Sequence, residues 1–377
     1  MRNDPDHLDL DATVAGGEIT IDLSALVANW RDLGGRAPGA RAAAVVKADG
    51  YGLGIEPVVK ALAAAGCGTF FVALPDEGRR ARRAAPDAEI YVLNGLFESG
   101  GPFLAAHALR PVLGSMPEIE EWAAFRRIAG GDHRAALHVD TGMNRLGLTP
   151  GEAAALAGEG KLARDAGFSL VMSHFACADT PAHPLNARQI AAFAEARALF
   201  PKLPGSLANS AGVFLGSAAH HDLIRPGIAI YGGAAVADTA NPMRPVVTLT
   251  ARILMVREVE AGMSVGYGAA WVAERTSRVA VISVGYADGF LRAAGSHSGK
   301  AGATAAIDGH LAPIVGRVSM DLIALDVTDV PATLARRGTR VELFGPNIPI
   351  DRAAARAGTI GYEFLTGLGP RYRRVFV

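Results

Sequence analysis

The chain has 377 residues, half of them hydrophobic, with 37 Lys plus Arg against 37 Asp plus Glu and a formal net charge of zero. That length is too great for one ordinary core and suits a large domain joined to a smaller one. The charge balance gives no support to the basic footprint of a nucleic-acid binder or the polybasic face of a membrane-surface protein.

The first stretch, MRNDPDHLDLDATVAGG, is acidic and has no apolar core of a secretory signal. It reads as a frayed tail over residues 1–17. No uncharged apolar stretch reaches the roughly 18 residues of a membrane span. The two cysteines, Cys67 and Cys177, have no partners at zinc-finger spacing and read as reduced thiols. A soluble, cytoplasmic protein without a metal site is therefore expected.

From Glu18, short apolar runs alternate with amphipathic stretches. EITIDL predicts a strand and SALVANWRDLGG a helix, with Ser24 as N-cap. AAAVVKA predicts a strand, IEPVVKALAAAG a helix ending at Gly66, and FFVALPDEGRRARRAA repeats the pair. IYVLNGL, LRPVLGS, AALHVDTG, FSLVMSHFA, SLANS and AIYGG read as further strands. PEIEEWAAFRRIAGG and NARQIAAFAEARALF read as helices between them. The strands are continuous apolar runs, as in a parallel sheet covered by helices. About eight such units fit a (β/α)8 TIM-type barrel over residues 18–243. No GxGxxG follows a strand, which argues against a dinucleotide fold. After Met243 the segments are strand-rich and partly alternating, and DRAAARAGT is one late helix. Residues 244–377 therefore read as a mostly antiparallel β domain.

Candidate chemistry sits at strand ends. Lys47 closes an apolar run and precedes a glycine-rich coil, KADGYGLG. A partly desolvated amine there has a depressed pKa and can react with an aldehyde, as pyridoxal phosphate (PLP) lysines do. A strand-ending lysine that merely reaches solvent is the plainer reading of the bare stretch VKAD. The same holds for other strand ends: Arg145 in HVDTGMNRLG, which could clamp a carboxylate; His174 in SHFACAD, which could stack on a flat ring; Ser210 in LANSAG, which could cradle phosphate; and Arg225 in IRPGIAIYGG. In the β domain, VGYGAAW puts Tyr267 between glycines.

Together AVVKADGYGLG, DTGMNRLG, SHFA, NSAG, RPGIAIYG, VGYGAAW, VGYADG, GRVSMD and GYEFLTGLGPR resemble the alanine racemase family, in order and from about Glu18 to the C-terminus. The resemblance implies PLP joined to Lys47, which also acts as one of two catalytic bases. Tyr267 would be the other, supplied across a head-to-tail homodimer whose active sites lie at the subunit interface. Tyr51, Ser210, the backbone of Gly227 and Ile228, and Tyr362 would hold the phosphate. Arg225 would meet the pyridine nitrogen, and His174 the ring. Arg145 and Met320 of the partner would hold the substrate carboxylate. Tyr286, Arg292, Arg317 and Asp179 would line the entry, with Asp321 beside the substrate contact. The implied reaction interconverts L- and D-alanine for peptidoglycan. A broader amino-acid racemase and a non-catalytic PLP-binding protein are the alternatives; Tyr267 and Met320 in a second domain argue against the latter. A related PLP decarboxylase lacks support, because its cysteine is not found.

Two positions depart from the family pattern. His138 stands where many members carry a lysine, carbamylated in some, so Arg145 needs another holder, such as chloride. Ser206 stands where many carry a histidine that bonds the pyridine-side arginine, so the support of Arg225 is left open.

Overall fold

The computed structural model describes residues 10–297 and 300–377. The expected tail falls outside the described residues over positions 1–9. The described chain forms two compact units. One comprises Val27–Ile230 with Ala234–Met243; the other comprises Arg244–Val377 with Tyr231–Gly233 and the described residues through Leu26.

In the first unit, strands Ala44–Val45, Thr69–Val72, Glu89–Val92, Leu109–Leu113, Ala135–His138, Phe168–Met172 and Gly205–Ser206 pair in parallel, each with the next. Strand Leu223–Ile224 pairs in parallel with Arg41–Ala42, immediately before Ala44–Val45. On its other side the Arg225 N–H donates to the Ala208 carbonyl at 2.8 Å. These bonds close the ring, an eight-stranded parallel barrel. Its strands are apolar on both faces: Phe70, Phe71 and Val72 in succession are fully buried, because one face fills the barrel and the other packs under helices. The covering helices include Ile55–Ala64, Pro75–Ala84, Met116–Ala129 and Pro184–Leu199.

Three local expectations are corrected. AIYGG is not a strand: Ile228–Tyr231 is a 3-10 turn, and the eighth strand is Leu223–Ile224 just before it. Ser24 does not cap the first helix, Leu23–Gly35; the Asp22 carboxylate takes the Ala25 N–H at 2.8 Å and the Ser24 hydroxyl at 2.7 Å. EITIDL is a strand, Gly17–Ile21, but it lies in the second unit, antiparallel to Val247–Val259 and parallel to Arg373–Phe376. The physical reason is its alternation. Ile19 and Ile21 are buried while Glu18 and Thr20 are not, a half-covered pattern that a barrel strand does not have. Residues 16 and 17, expected in the tail, are packed too: a Cβ on Gly17 would meet the Tyr372 ring at 2.6 Å.

The second unit's sheet has eight strands among the described residues, all pairings antiparallel except that of Gly17–Ile21 with Arg373–Phe376. Its long strand Val247–Val259 pairs with Gly17–Ile21 and Arg340–Phe344 through its first half and with Ser277–Ile282 through its second. Among the described residues no helix is long and apolar enough to cross a membrane.

Candidate active site

Strand ends of the first unit gather the expected barrel residues at the C-terminal mouth, the usual functional face of such a barrel. Lys47 follows Ala44–Val45 directly. The chain then makes a left-handed turn: φ is positive at Ala48 (53°), Asp49 (54°), Gly50 (62°), Tyr51 (55°) and Gly52 (82°). The glycines are thus only part of the device, since three non-glycine residues share the strained region at about 1–2 kcal/mol each. Lys47 is half-buried. Burial lowers its ammonium pKa from the ordinary value, the Arg145 guanidinium lowers it further, and the Glu77 carboxylate opposes both.

Arg225 is the best-fixed group of the site and is fully enclosed, 2 % exposed. Its guanidinium donates to the Ser206 hydroxyl at 2.5 Å, the Ser173 carbonyl at 2.7 Å and His174 Nδ1 at 3.2 Å. Ser206 passes its own proton to the Leu223 carbonyl at 2.6 Å. Serine therefore does support the arginine, and it does so as a relay to the backbone. Among the described residues no carboxylate pairs with Arg225. Burial accordingly pushes its pKa down to about 9, and it remains a cation at neutral pH. As acceptor for Arg225, His174 Nδ1 is unprotonated. Burial lowers the pKa of that imidazole well below the usual range, the Arg225, Arg145 and Lys47 cations lower it further, and the His138 ring lies nearby. Five titratable groups thus share one small volume. His138, at the end of Ala135–His138, is pushed down to about 4 by burial and by Arg225, with Arg145 adding to the effect against Asp140. It is a neutral imidazole.

A second cluster gathers two hydroxyls and backbone N–H groups. The Ser210 hydroxyl accepts the N–H of Gly227 at 2.7 Å and of Ala229 at 3.3 Å. Ile228, between them, is buried. A Cβ on Gly227 would lie 2.2 Å from the Tyr51 hydroxyl oxygen, so only glycine lets that hydroxyl approach the backbone. Donors from two strand ends and the left-handed turn converge there.

Arg145 is exposed, and among the described residues no acceptor bonds its guanidinium. Its loop, by contrast, is held. The Asp140 carboxylate accepts the N–H groups of Gly142, Met143 and Asn144, each at 2.9 Å. Asp179 is exposed, and its carbonyl takes the Ala237 N–H at 2.9 Å.

Tyr267, Met320, Tyr362, Tyr286, Arg292, Arg317 and Asp321 all belong to the second unit. Tyr267 stands on a turn between strands Ser264–Val265 and Trp271–Val272 and is 72 % exposed; Met320 is 53 % exposed. Hydrogen bonds join three of the motifs. The N–H groups of Tyr286 and Ala287 donate to the carbonyls of Ser319 and Met320, both at 3.0 Å, and the Gly369 N–H donates to Asp288 at 2.9 Å. Arg371 pairs with Asp288 at 2.9 Å and with Asp321 at 2.8 Å.

Two supporting positions escaped sequence reasoning. Gln189, fully buried, donates to the His174 carbonyl at 2.8 Å and to the Thr141 hydroxyl at 3.2 Å, and accepts the Ala176 N–H at 2.9 Å. A glutamine on the same helix face as Phe193 and Ala196 was the available signal. Glu77 binds the start of its own helix and the turn after Lys47; proline at the first helical position with glutamate two residues on was its signal.

Two family models match the chain: "Alanine racemase, N-terminal domain" over residues 21–235 and "Alanine racemase, C-terminal domain" over residues 246–376. An alanine racemase of Methylobacterium sp. (strain 4-46) is 54 % identical, the match covering 96 % of this chain and 98 % of the relative. A biosynthetic alanine racemase of Agrobacterium fabrum is 50 % identical, over 95 % and 93 %. The crystal structure of alanine racemase from Bartonella henselae, with covalently bound pyridoxal phosphate, matches with a TM-score of 0.90 at 38 % identity, covering 96 % of this chain and all of that one. With both domains matched and relatives this similar along nearly its whole length, the chain belongs to the alanine racemase family.

Proposed function

We propose that the protein interconverts L- and D-alanine with pyridoxal 5'-phosphate, using Lys47 and the partner subunit's Tyr267 as bases on opposite faces of the substrate Cα. The residues present suit that cofactor. Ser210, the Gly227 backbone and Tyr51 make a donor cradle that a side chain at 227 would fill, and it suits a phosphate. Ile228 and Tyr362 complete that set by family likeness. When bound, the cofactor withdraws electrons from the amino-acid Cα and makes its proton removable.

The chain's own groups do the rest. Lys47, already shifted toward neutrality, can take or return a proton near working pH. Racemisation needs the opposite face served as well, and an exposed tyrosine on the C-terminal unit suits delivery to a second copy. Arg145 and the partner subunit's Met320 hold the substrate carboxylate. Arg225 is a cation with no proton to give at neutral pH. It therefore limits electron withdrawal by the ring and disfavours side reactions such as transamination. His174 fixes Arg225 and packs the ring. The observation that carries this reading is the shared setting of Lys47, Arg145, His174 and Arg225: an acid-shifted amine and two guanidiniums around one neutral imidazole.

Peptidoglycan precursor supply in the cytoplasm is the role we assign, in line with the biosynthetic relative of Agrobacterium fabrum. Mixed dimers test the mechanism. Lys47→Ala and Tyr267→Ala should each be inactive, with Tyr267→Ala retaining the PLP absorbance. Co-refolded together they should regain activity, because a mixed dimer has one intact site. No regain would place both bases in one chain or refute the pair.

A further inference from the structure

We propose that Glu77 is a positioning residue for Lys47: its carboxylate locks the left-handed turn that follows the lysine and sets a negative charge against the amine. The inference rests on the reading of Lys47 as the reactive amine.

Glu77 joins two adjacent strand ends. One carboxylate oxygen, Oε2, accepts the N–H groups of Ala73 at 2.9 Å and Leu74 at 3.1 Å, just beyond strand Thr69–Val72. The other, Oε1, accepts the N–H of Asp49 at 3.3 Å, two residues past Lys47. Three donors on one side chain need both oxygens, and an amide offers only one. The Asp49 N–H lies inside the strained turn, which persists only if its surroundings over-determine it. A second set of bonds fixes the same turn from its far side. Asp49 Oδ1 takes the Ile55 N–H at 2.9 Å and pairs with Arg80 at 2.9 Å. Arg80 in turn grips Glu56 through two bonds, at 2.7 and 2.6 Å. The Lys47 backbone is thereby held between Glu77 and the Asp49–Arg80–Glu56 chain.

The charges around the amine give the carboxylate a second role. Arg145 faces Lys47 with like charge, and Glu77 opposes it. His174 is neutral, and Asp49 is already engaged by Arg80. Without Glu77, the amine would meet burial and Arg145 alone. Its protonated form, which must return a proton to Cα, would be scarcer. A helix cap and nothing more is the competing account, since Glu77 also binds the first turn of Pro75–Ala84.

The chain's five lysines, Lys47, Lys60, Lys161, Lys202 and Lys300, make a direct test practical. The full-length protein, stripped of PLP, is reductively methylated with 13C-formaldehyde, and each dimethyl-lysine signal is followed against pH. In Glu77→Gln the Lys47 signal should titrate lower than in wild type by about half a pH unit or more. The four exposed lysines should not move, and Glu77→Asp should recover most of the shift. In the holoenzyme, the pH profile of kcat should move in the same direction. Coincident Lys47 titrations in wild type and Glu77→Gln, with only thermal stability reduced, would leave a helix cap and overturn the proposal. Glu77→Ala is added to read the loss of all three bonds; should it not fold, Glu77→Gln decides. The NMR readout needs no racemisation. A shifted Lys47 in an inactive protein would refute the proposed function and not this inference.

Discussion

Arg225 carries a full charge that no carboxylate among the described residues pairs with, and its state depends on neutral partners at 2.5 to 3.2 Å. Ser206 is one of the closest. Ser206→Ala leaves both a guanidinium N–H and the Leu223 carbonyl one bond short in a buried place. We expect a loss of about 1–3 kcal/mol in urea unfolding, with a lower kcat; an unchanged midpoint would show that water replaces the hydroxyl. His138 allows a test in pH. Its native pKa is held near 4, while an unfolded histidine titrates near 6.5. Between these values the unfolded chain binds a proton that the native chain refuses, so stability falls as pH drops through that window. The slope is about 1.4 kcal/mol per pH unit for one such group. His138→Gln should flatten the pH dependence of the unfolding free energy between pH 6.5 and 4 by about that slope. Parallel curves for the two proteins would contradict the assigned neutrality. Lys47, Ser210 and Arg225 were legible in the sequence because each is a polar residue ending an apolar run. The support that Ser206 gives was not. A hydroxyl can stand in for a larger ring only if backbone carbonyls lie within reach, and that is a fact of three dimensions.

At the scale of elements, strand ends do the positioning and loops are held by carboxylates. Asp140 accepts three successive N–H groups and so shapes the loop that carries Arg145. Asp140→Ala should raise KM for alanine about tenfold or more while changing kcat less, because a loosened guanidinium loses binding before chemistry. An unchanged KM would mean that the loop is fixed by other means. Gly227 makes the complementary case. Gly227→Ala places a methyl group against the Tyr51 hydroxyl and should weaken PLP affinity about tenfold or more with little loss of fold stability. Spectroscopic PLP titration reads the first, thermal unfolding the second. The parallel strands were legible because barrel strands are apolar on both faces. The left-handed turn was only partly so. Gly50 and Gly52 signal it, whereas Ala48, Asp49 and Tyr51 adopt it against their own preference, with Asp49 held by Glu77 and Arg80.

At the scale of the molecule, the chain's start and end are joined. Strand Gly17–Ile21 lies between Val247–Val259 and Arg373–Phe376, and Glu18 pairs with both Arg340 and Arg373. Removing residues 373–377 would uncover one edge of that strand and release Glu18 from one arginine. We expect such a truncation to aggregate or be cleaved rapidly by limited proteolysis; a truncated protein as resistant as the full chain would show that the strand holds without this edge. Sequence reading put this strand in the barrel, since its neighbours along the chain are barrel elements. Its alternation of buried Ile19 and Ile21 with Glu18 and Thr20 is the pattern of a half-covered sheet.

In the proposed reaction Lys47 and Tyr267 serve the two faces of one Cα. The most direct measurement incubates the purified protein with PLP and L-alanine in deuterated water, following Cα–H loss by NMR and D-alanine by chiral analysis. Deuterium incorporation and D-alanine should appear together, and Tyr267→Ala should abolish the D-alanine. PLP bound to Lys47 with neither exchange nor inversion of alanine, or full racemisation by Tyr267→Ala, would contradict it.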